Sequence, residues 1–413
     1  MIGLYYNIGF LGGVHDSNEP LRGSSLANFP CIQNAYLITQ HDRILEFGSM
    51  EDLLFEKYST AIRVDVAGGA LLPSWCDSHT HLVFAGSREN EFVDKLKGLS
   101  YAEIAAKGGG ILNSAAKLQQ TDEQELYESA LERLHELILA GTGAIEIKSG
   151  YGLTLEAEIK MLRVIKRLKE NSTIPIRSTF LGAHAFPGPY KNNPEGYIQL
   201  IISEMIPAVA KAKLAEYIDV FCEDGFFSPA QTAVICEAGK KAGLRPRLHA
   251  NQLAISGGVQ VGVSQNAISV DHLESMDEDS IRMLSNSNTI GTLLPNASYF
   301  LRMQDAPARK LIDAGAIIAL ASDYNPGSSP SGNMNGVVAQ ACIRMRMLPE
   351  EAFNAATLNG ACALELESQC GSIQAGKLAN FFITKPIPSL AYYPYSFGSN
   401  LIKKVVLKGA EIY

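Results

Sequence analysis

Two histidines one residue apart, His79 and His81, stand in the stretch Asp77-Ser-His-Thr-His-Leu-Val-Phe-Ala-Gly-Ser-Arg-Glu-Asn90, with Arg88 seven residues past the second. The chain holds only eight histidines, at positions 15, 41, 79, 81, 135, 184, 249 and 272, so the pair is a concentration of imidazole rather than a compositional accident. In extended backbone, residues i and i+2 point to the same side, which aims both rings at one point while Thr80 faces away. His249, His272 and Asp323 each close a short apolar run. If those runs are neighbouring strands, four imidazoles and a carboxylate meet at one rim. Three neutral imidazoles with one carboxylate suit a divalent ion of the zinc or iron type, with a water in the remaining position. Such an ion makes water nucleophilic near neutral pH and polarises a carbonyl, so the chemistry expected is hydrolysis. Asp323 is placed both to bind the ion and to accept the water's proton. His272, if it is not a ligand, can hydrogen-bond the nucleophile or a developing oxyanion. The fourth apolar run ends in Cys222 and Glu223 without a lysine, which leaves the carbamylated-lysine bridge of a two-metal site unsupported and favours one ion per chain.

The elements that must carry these groups are legible as an alternation. "ALLPSWCDSH" (70–79) is the first apolar run, and "GAIEIKS" (143–149), "IPIRSTFLGAH" (174–184), "YIDVFCE" (217–223), "LRPRLHA" (244–250), "AISVDHL" (267–273), "NTIGTLLP" (288–295) and "AIIALASD" (316–323) follow it. Amphipathic helical stretches separate them. One opens at Thr121-Asp-Glu-Gln124, which reads as a capping box, carries Leu126, Ala130, Leu134, Leu137 and Ile138 on one face, and closes at Gly141. Eight strand-plus-helix units define an α/β protein of the (β/α)8 TIM-barrel type, in which functional groups sit where strands end and the following loops begin. An open doubly wound sheet is the alternative, since periodicity does not show closure. The flanks are short β-branched runs punctuated by Gly and Pro, without helical period. The expected division is a small composite β-sandwich domain from residues 1–68 plus 371–413, and a barrel over 69–370.

Composition narrows the partners. At 413 residues, 46% of them apolar, the chain can bury one large core and a smaller second unit. A net charge of −8, and no run of Lys/Arg longer than Lys240-Lys241 or Lys403-Lys404, argue against nucleic acid and anionic membranes as partners. Seven scattered cysteines, never spaced C-x-x-C, argue against a disulfide framework and a thiolate metal site, and read as buried thiols in a reducing compartment. With no basic leader segment and no apolar run of the ~20 residues that span a bilayer, the expected location is the cytoplasm.

The H-x-H motif at His79 and His81, the histidines ending runs five and six and the aspartate ending run eight resemble the amidohydrolase superfamily. Longer motifs narrow the likeness: "HTHLVFAGSRENEF" (79–92), "GGGIL" (108–112), "IKSGYGL" (147–153), "FLGAHAFP" (180–187), "FCEDGFFS" (221–228), "DHLE" (271–274), "TLLP" (292–295) and "SDYNPGSSP" (322–330) are similar to the imidazolonepropionase family. That resemblance implies hydrolysis of the cyclic amide of 4-imidazolone-5-propanoate to N-formimidoyl-L-glutamate in histidine degradation, with one zinc or iron ion per chain and a homodimer. It makes His79, His81, His249 and Asp323 metal ligands, and Arg88, Tyr151, His184, Asn325, Gly327 and Ser328 substrate contacts. Arg88 suits a propanoate because its planar fork matches a carboxylate; its alternative is a loop salt bridge with Glu89 or Glu91. The sequence departs from the pattern three residues after His249, where many members of the family carry Glu and this chain has Gln252. An amide cannot exchange a proton near neutral pH, so Gln252 is assigned to substrate binding and proton transfer to Asp323 and His272. Two rival readings follow from the same residues. One is another amidohydrolase, such as a deaminase of a nucleobase-like ring, which has no need of Arg88; the other is a catalytically inactive binding protein on this scaffold, raised by Gln252.

Overall fold

The computed structural model describes residues 2–99, 103 and 109–413; Gly108 of the "GGGIL" motif lies outside the described residues. Eight parallel strands, Trp75–Asp77, Thr142–Lys148, Ile176–Ala183, Tyr217–Cys222, Arg245–Ala250, Ser269–His272, Ile290–Leu293 and Ile318–Leu320, pair in chain order. All but Arg245 and Arg177 are buried, as expected of a parallel sheet covered on both faces. Closure of the barrel, which periodicity left open, rests on hydrogen bonds between the first and last segments. Asp77 accepts from the Ser322 N–H at 3.0 Å and from its hydroxyl at 2.5 Å. The Asp323 N–H donates to the His79 carbonyl at 3.0 Å, and the His81 N–H to that of Tyr324 at 2.9 Å. Thr80 and Tyr324 form a parallel bridge.

The run 70–79 is shared between two sheets rather than being one barrel strand. Ala70–Pro73 pairs with Ile2–Gly12 and Phe381–Thr384 in a second, mixed sheet, and the barrel begins only at Trp75. His79 and His81 therefore lie just past a strand end, in backbone fixed by the closure bonds above. The second sheet joins both chain ends: Cys31–Gln40, Arg43–Ser49 and Ile62–Asp65 from the N-terminal side meet Ile402–Leu407 and Ala410–Glu411 from the other. Trp75, fully buried, packs against Phe353, Phe382 and Tyr393 where the sheet meets the barrel.

The helix over Glu123–Leu139 buries the five residues read from its period. Its cap differs from the expected box. Asp122 accepts from the Gln124 N–H at 2.7 Å, while the Thr121 hydroxyl donates back to Lys117 and ends the preceding helix, because an Asx turn one residue on satisfies the first free amide. The cysteines are all free, and the expectation of burial fails at exposed Cys31 and half-buried Cys342. Among the described residues no helix is long and apolar enough to cross a membrane.

Candidate metal centre and its cavity

His79, His81 and His249 offer ligand atoms that lie within 4.8 Å of one another, and His79, His272 and Asp323 form a second such trio. The His81 and His249 Nε2 atoms are 3.3 Å apart, and Asp323 Oδ1 is 3.6 Å from Nε2 of both His79 and His81. Burial, followed by neighbouring cations and imidazoles, holds His79 and His81 well below the usual histidine range, so both rings are neutral. Nε2 of His81 and Nε2 of His249 are close enough to ligate one cation lying between the rings. The His79 Nε2, buried with no hydrogen-bond partner among the described residues, is free to join them. The donor set fits a divalent ion with nitrogen and carboxylate ligands.

Two of the three rings, His79 and His249, are turned by a carboxylate behind them. Asp271 accepts from His79 Nδ1–H at 2.7 Å and Asp219 from His249 Nδ1–H at 3.1 Å, which leaves the Nε2 lone pair of each ring free to bind an ion. Between these two carboxylates lies Lys148, fully buried, with Nζ 2.8 Å from Asp219, 2.8 Å from Glu146 and 3.8 Å from Asp271. Glu146 in turn accepts from the Thr80 N–H, the residue between the two histidines, at 3.2 Å. One ammonium thus ties together the supports of His79, His81 and His249. The sequence reading missed Glu146, Lys148, Asp219, Asp271 and Asp77. The available signal was a charged residue inside an otherwise apolar strand, in "AIEIKS", "YIDVF" and "SVDHL". The barrel interior stores its charges there because each is paired.

His272 and Asp323 both have positive φ, 88° and 54°, in the left-handed region that costs a non-glycine residue about 1–3 kcal/mol. Asp323 is held by the closure bond to His79, by Asn325 Nδ2 donating to its carbonyl at 2.6 Å and by the Ser328 hydroxyl at 3.3 Å from Oδ2. Glu274 Oε1 lies 3.3 Å from His272 Nδ1, fixing the ring with Nε2 toward the cavity. Burial opposes a charge on His272, but Glu274, Asp323 and Asp271 outweigh it and raise the group to about 9. Burial raises Asp323 above the usual carboxylate range, and His272 and His249 offset part of that rise.

Above this floor opens a cavity of about 500 Å³ whose wall includes Arg88, Tyr151, His184, Gln252, Asn325, Gly327 and Ser328, so every expected substrate contact borders one space. The His184 ring stacks on His81 at 5.3 Å, and its Nδ1–H donates to the Gly150 carbonyl at 2.9 Å. Burial pushes His184 down to about 3, so its Nε2 is an acceptor. Gly150, with φ of 116°, turns the chain so that Tyr151 lies 5.4 Å from the His184 ring. Arg88 forms the loop salt bridge, with Glu91 and not Glu89, and also borders the cavity. Its Nε and Nη2 bind Glu91 at 2.9 and 2.6 Å, and the side chain packs over Gly327, where a Cβ would lie 2.1 Å from Nη1. The Asn325 amide serves the loop itself: its Oδ1 accepts from the Gly327 and Ser328 N–H groups at 2.8 Å each.

The model of the amidohydrolase family matches residues 70–412. The chain is 54% identical over 413 residues to the imidazolonepropionase of Flavobacterium johnsoniae, covering 100% of both. The chain belongs to the amidohydrolase family and, within it, to the imidazolonepropionases. Its backbone also superposes on solved structures of low identity. E. coli guanine deaminase matches with a TM-score of 0.74 at 13% identity, over 100% of this chain and 99% of that one. An adenosine deaminase from Xanthomonas campestris with bound zinc matches with a TM-score of 0.68 at 14% identity, over 99% and 92%. Those likenesses establish the shared fold. What separates this imidazolonepropionase-family chain from them must be sought in the cavity wall.

Proposed function

We propose that this chain opens the lactam ring of 4-imidazolone-5-propanoate with water to give N-formimidoyl-L-glutamate, as an imidazolonepropionase of histidine degradation. The observation that carries the reading is a buried three-imidazole set and a cationic wall bordering one cavity, in a chain 54% identical along its whole length to an imidazolonepropionase. One zinc or iron ion per chain, held by His79, His81, His249 and Asp323, would supply Lewis acidity that makes water nucleophilic at neutral pH and polarises the lactam carbonyl.

The chain's own groups divide the remaining work. Asp323 accepts the attacking water's proton, and its raised affinity for a proton suits a group that must take one and pass it on. His272 donates from Nε2 to the oxygen that gains charge as the carbonyl carbon becomes tetrahedral, with Glu274 fixing the ring behind it. The carbonyl carbon–ring nitrogen bond then breaks, leaving a carboxylate, and the nitrogen takes the proton. His184 Nε2 accepts from a ring N–H, and Gln252 and Tyr151 hold the ring's polar edge without exchanging protons. Arg88, aligned by Glu91, sets the propanoate arm. We take the protein to act as a homodimer in the cytoplasm.

The decisive experiment measures the decay of imidazolonepropanoate and the appearance of formimidoylglutamate alongside the metal content of the purified protein. Turnover with about one ion per chain is expected. No turnover by metal-replete protein, or turnover of a nucleobase-like ring in its place, would overturn the reading.

A further inference from the structure

The helix Glu89–Leu96 brings two cations to the same side of the cavity, and only one of them is neutralised. Arg88, just before the helix, is paired with Glu91 through two hydrogen bonds to Oε2, while Glu91 Oε1 accepts from the Gly110 N–H at 3.1 Å. Lys95 follows Glu91 by four residues, the spacing at which a lysine ordinarily pairs with a glutamate on a helix. Here the partner is taken. Lys95 instead reaches the cavity, where Nζ makes a long 3.4 Å contact to the Gly327 carbonyl and lies 5.9 Å from the Phe300 ring. Among the described residues no carboxylate comes within ion-pairing distance of it.

Gly327 is therefore bracketed, with the Arg88 guanidinium packed over its Cα and the Lys95 ammonium at its carbonyl. Burial and the neighbouring Arg88 hold the Lys95 ammonium below the usual lysine range. A half-buried cation with unspent donors, beside a second cation whose own charge is already matched, leaves an excess of one positive charge among the described residues at this end of the cavity. An anion settling there would gain charge-assisted hydrogen bonds and relieve the repulsion between the two cations.

Building on the imidazolonepropanoate reading, we propose that Lys95 is a substrate-binding and specificity-determining residue: with Arg88 it holds the carboxylate of the propanoate arm. Arg88, clamped by Glu91, sets the direction of the arm. Lys95 supplies the uncompensated charge that selects anionic ring substrates over neutral ones.

The test uses the metal-loaded full chain and two variants, Lys95→Met and Lys95→Arg. Lys95→Met is expected to raise KM for imidazolonepropanoate about 10–100-fold, the loss expected for a hydrogen-bonded charge, with kcat within about twofold and metal content unchanged. Lys95→Arg should recover most of the affinity. Calorimetry with imidazole-4-propanoate, which keeps the arm on an unreactive ring, should show the same loss in Lys95→Met, whereas the neutral imidazole-4-propanamide should bind wild type and variant equally. Wild-type KM and Kd in Lys95→Met would overturn the proposal, as would equal losses for propanoate and propanamide. Should wild type fail to turn over imidazolonepropanoate, the functional reading falls, and the propanoate-against-propanamide comparison still decides whether Lys95 is an anion site.

Discussion

The floor and the wall of the cavity are built on opposite plans. The floor, with His79, His249, Asp219, Asp271 and Lys148, stands on barrel strands or just past their ends, is 0–4% exposed and pairs each charged side chain with a partner of opposite charge or an imidazole. The wall, with Arg88, Lys95, Gln252 and the 325–328 turn, stands on loops and a short helix, and its charges are only partly matched. A dry, paired floor holds imidazole lone pairs in place with little freedom to relax, which suits chemistry. A wall with spare donors suits recognition. Changes to the floor should therefore be felt in metal content, folding and kcat together, and changes to the wall in KM with the metal retained.

The largest effect expected is from His79→Ala or His249→Ala. Each removes one donor from the set, and elemental analysis should show the ion content falling from about one per chain toward none, with activity down by about 10³-fold or more. Undiminished metal in both variants, or two ions per chain in wild type, would break the mononuclear assignment. Lys148→Met comes next. It leaves Glu146, Asp219 and Asp271 buried without their shared cation, so thermal and denaturant unfolding should show a loss of about 3–5 kcal/mol, and metal affinity should fall about 10–100-fold as His79 and His249 lose their alignment. Adding Asp219→Asn to Lys148→Met should destabilise by clearly less than the sum of the two single changes, because one unpaired charge is removed with its partner. Strict additivity would mean that Lys148 does not bind the floor together.

The two regions were unequally legible in the sequence. His79, His81, His249 and Asp323 could be found because imidazole is rare in this chain and because barrel topology places strand ends on one rim. Lys148 could not be found by residue type, since lysines are seldom buried. Its role depends on Asp219 and Asp271, which approach it only once the barrel closes. The closure rests on Asp77 and Ser322, 245 residues apart in sequence. The extra sheet strand at Ala70–Pro73 was hidden for a related reason: one short run serves two sheets, and the single polar residue at Ser74, where the allegiance changes, is a mark that one continuous strand could also carry. On the wall, Arg88 was legible as a cation near the site, but its pairing with Glu91 was one of two open choices.

A smaller effect sits between the regions. His272→Ala should lower kcat about 10²-fold with metal retained and KM little changed, since the ring is assigned to transition-state charge and not to the ion. Loss of the ion in this variant would move His272, already within reach of the second trio with His79 and Asp323, into the ligand set. Arg88→Lys keeps a charge but cannot keep both bonds to Glu91 and a fork for the carboxylate, so KM should rise about 10-fold at constant metal content.

The smallest effect expected is at Gln252, and it is the sharpest probe of the boundary between floor and wall. Gln252 follows His249 by three residues and borders the same cavity as His272 and Asp323, yet its amide cannot take or give a proton near neutral pH. If it belongs with the wall, Gln252→Ala should raise KM by about 3–10-fold, the cost of one neutral hydrogen bond, while kcat and the shape of the pH–rate profile stay as in wild type. Gln252→Glu nearly keeps the size and shape of the side chain and should fold and remain active, and any new limb it adds to the pH–rate profile would report the introduced carboxyl. A limb that vanishes in Gln252→Ala, or a kcat loss as large as that of His272→Ala, would place Gln252 in the floor and show that proton transfer does not run through Asp323 and His272 alone.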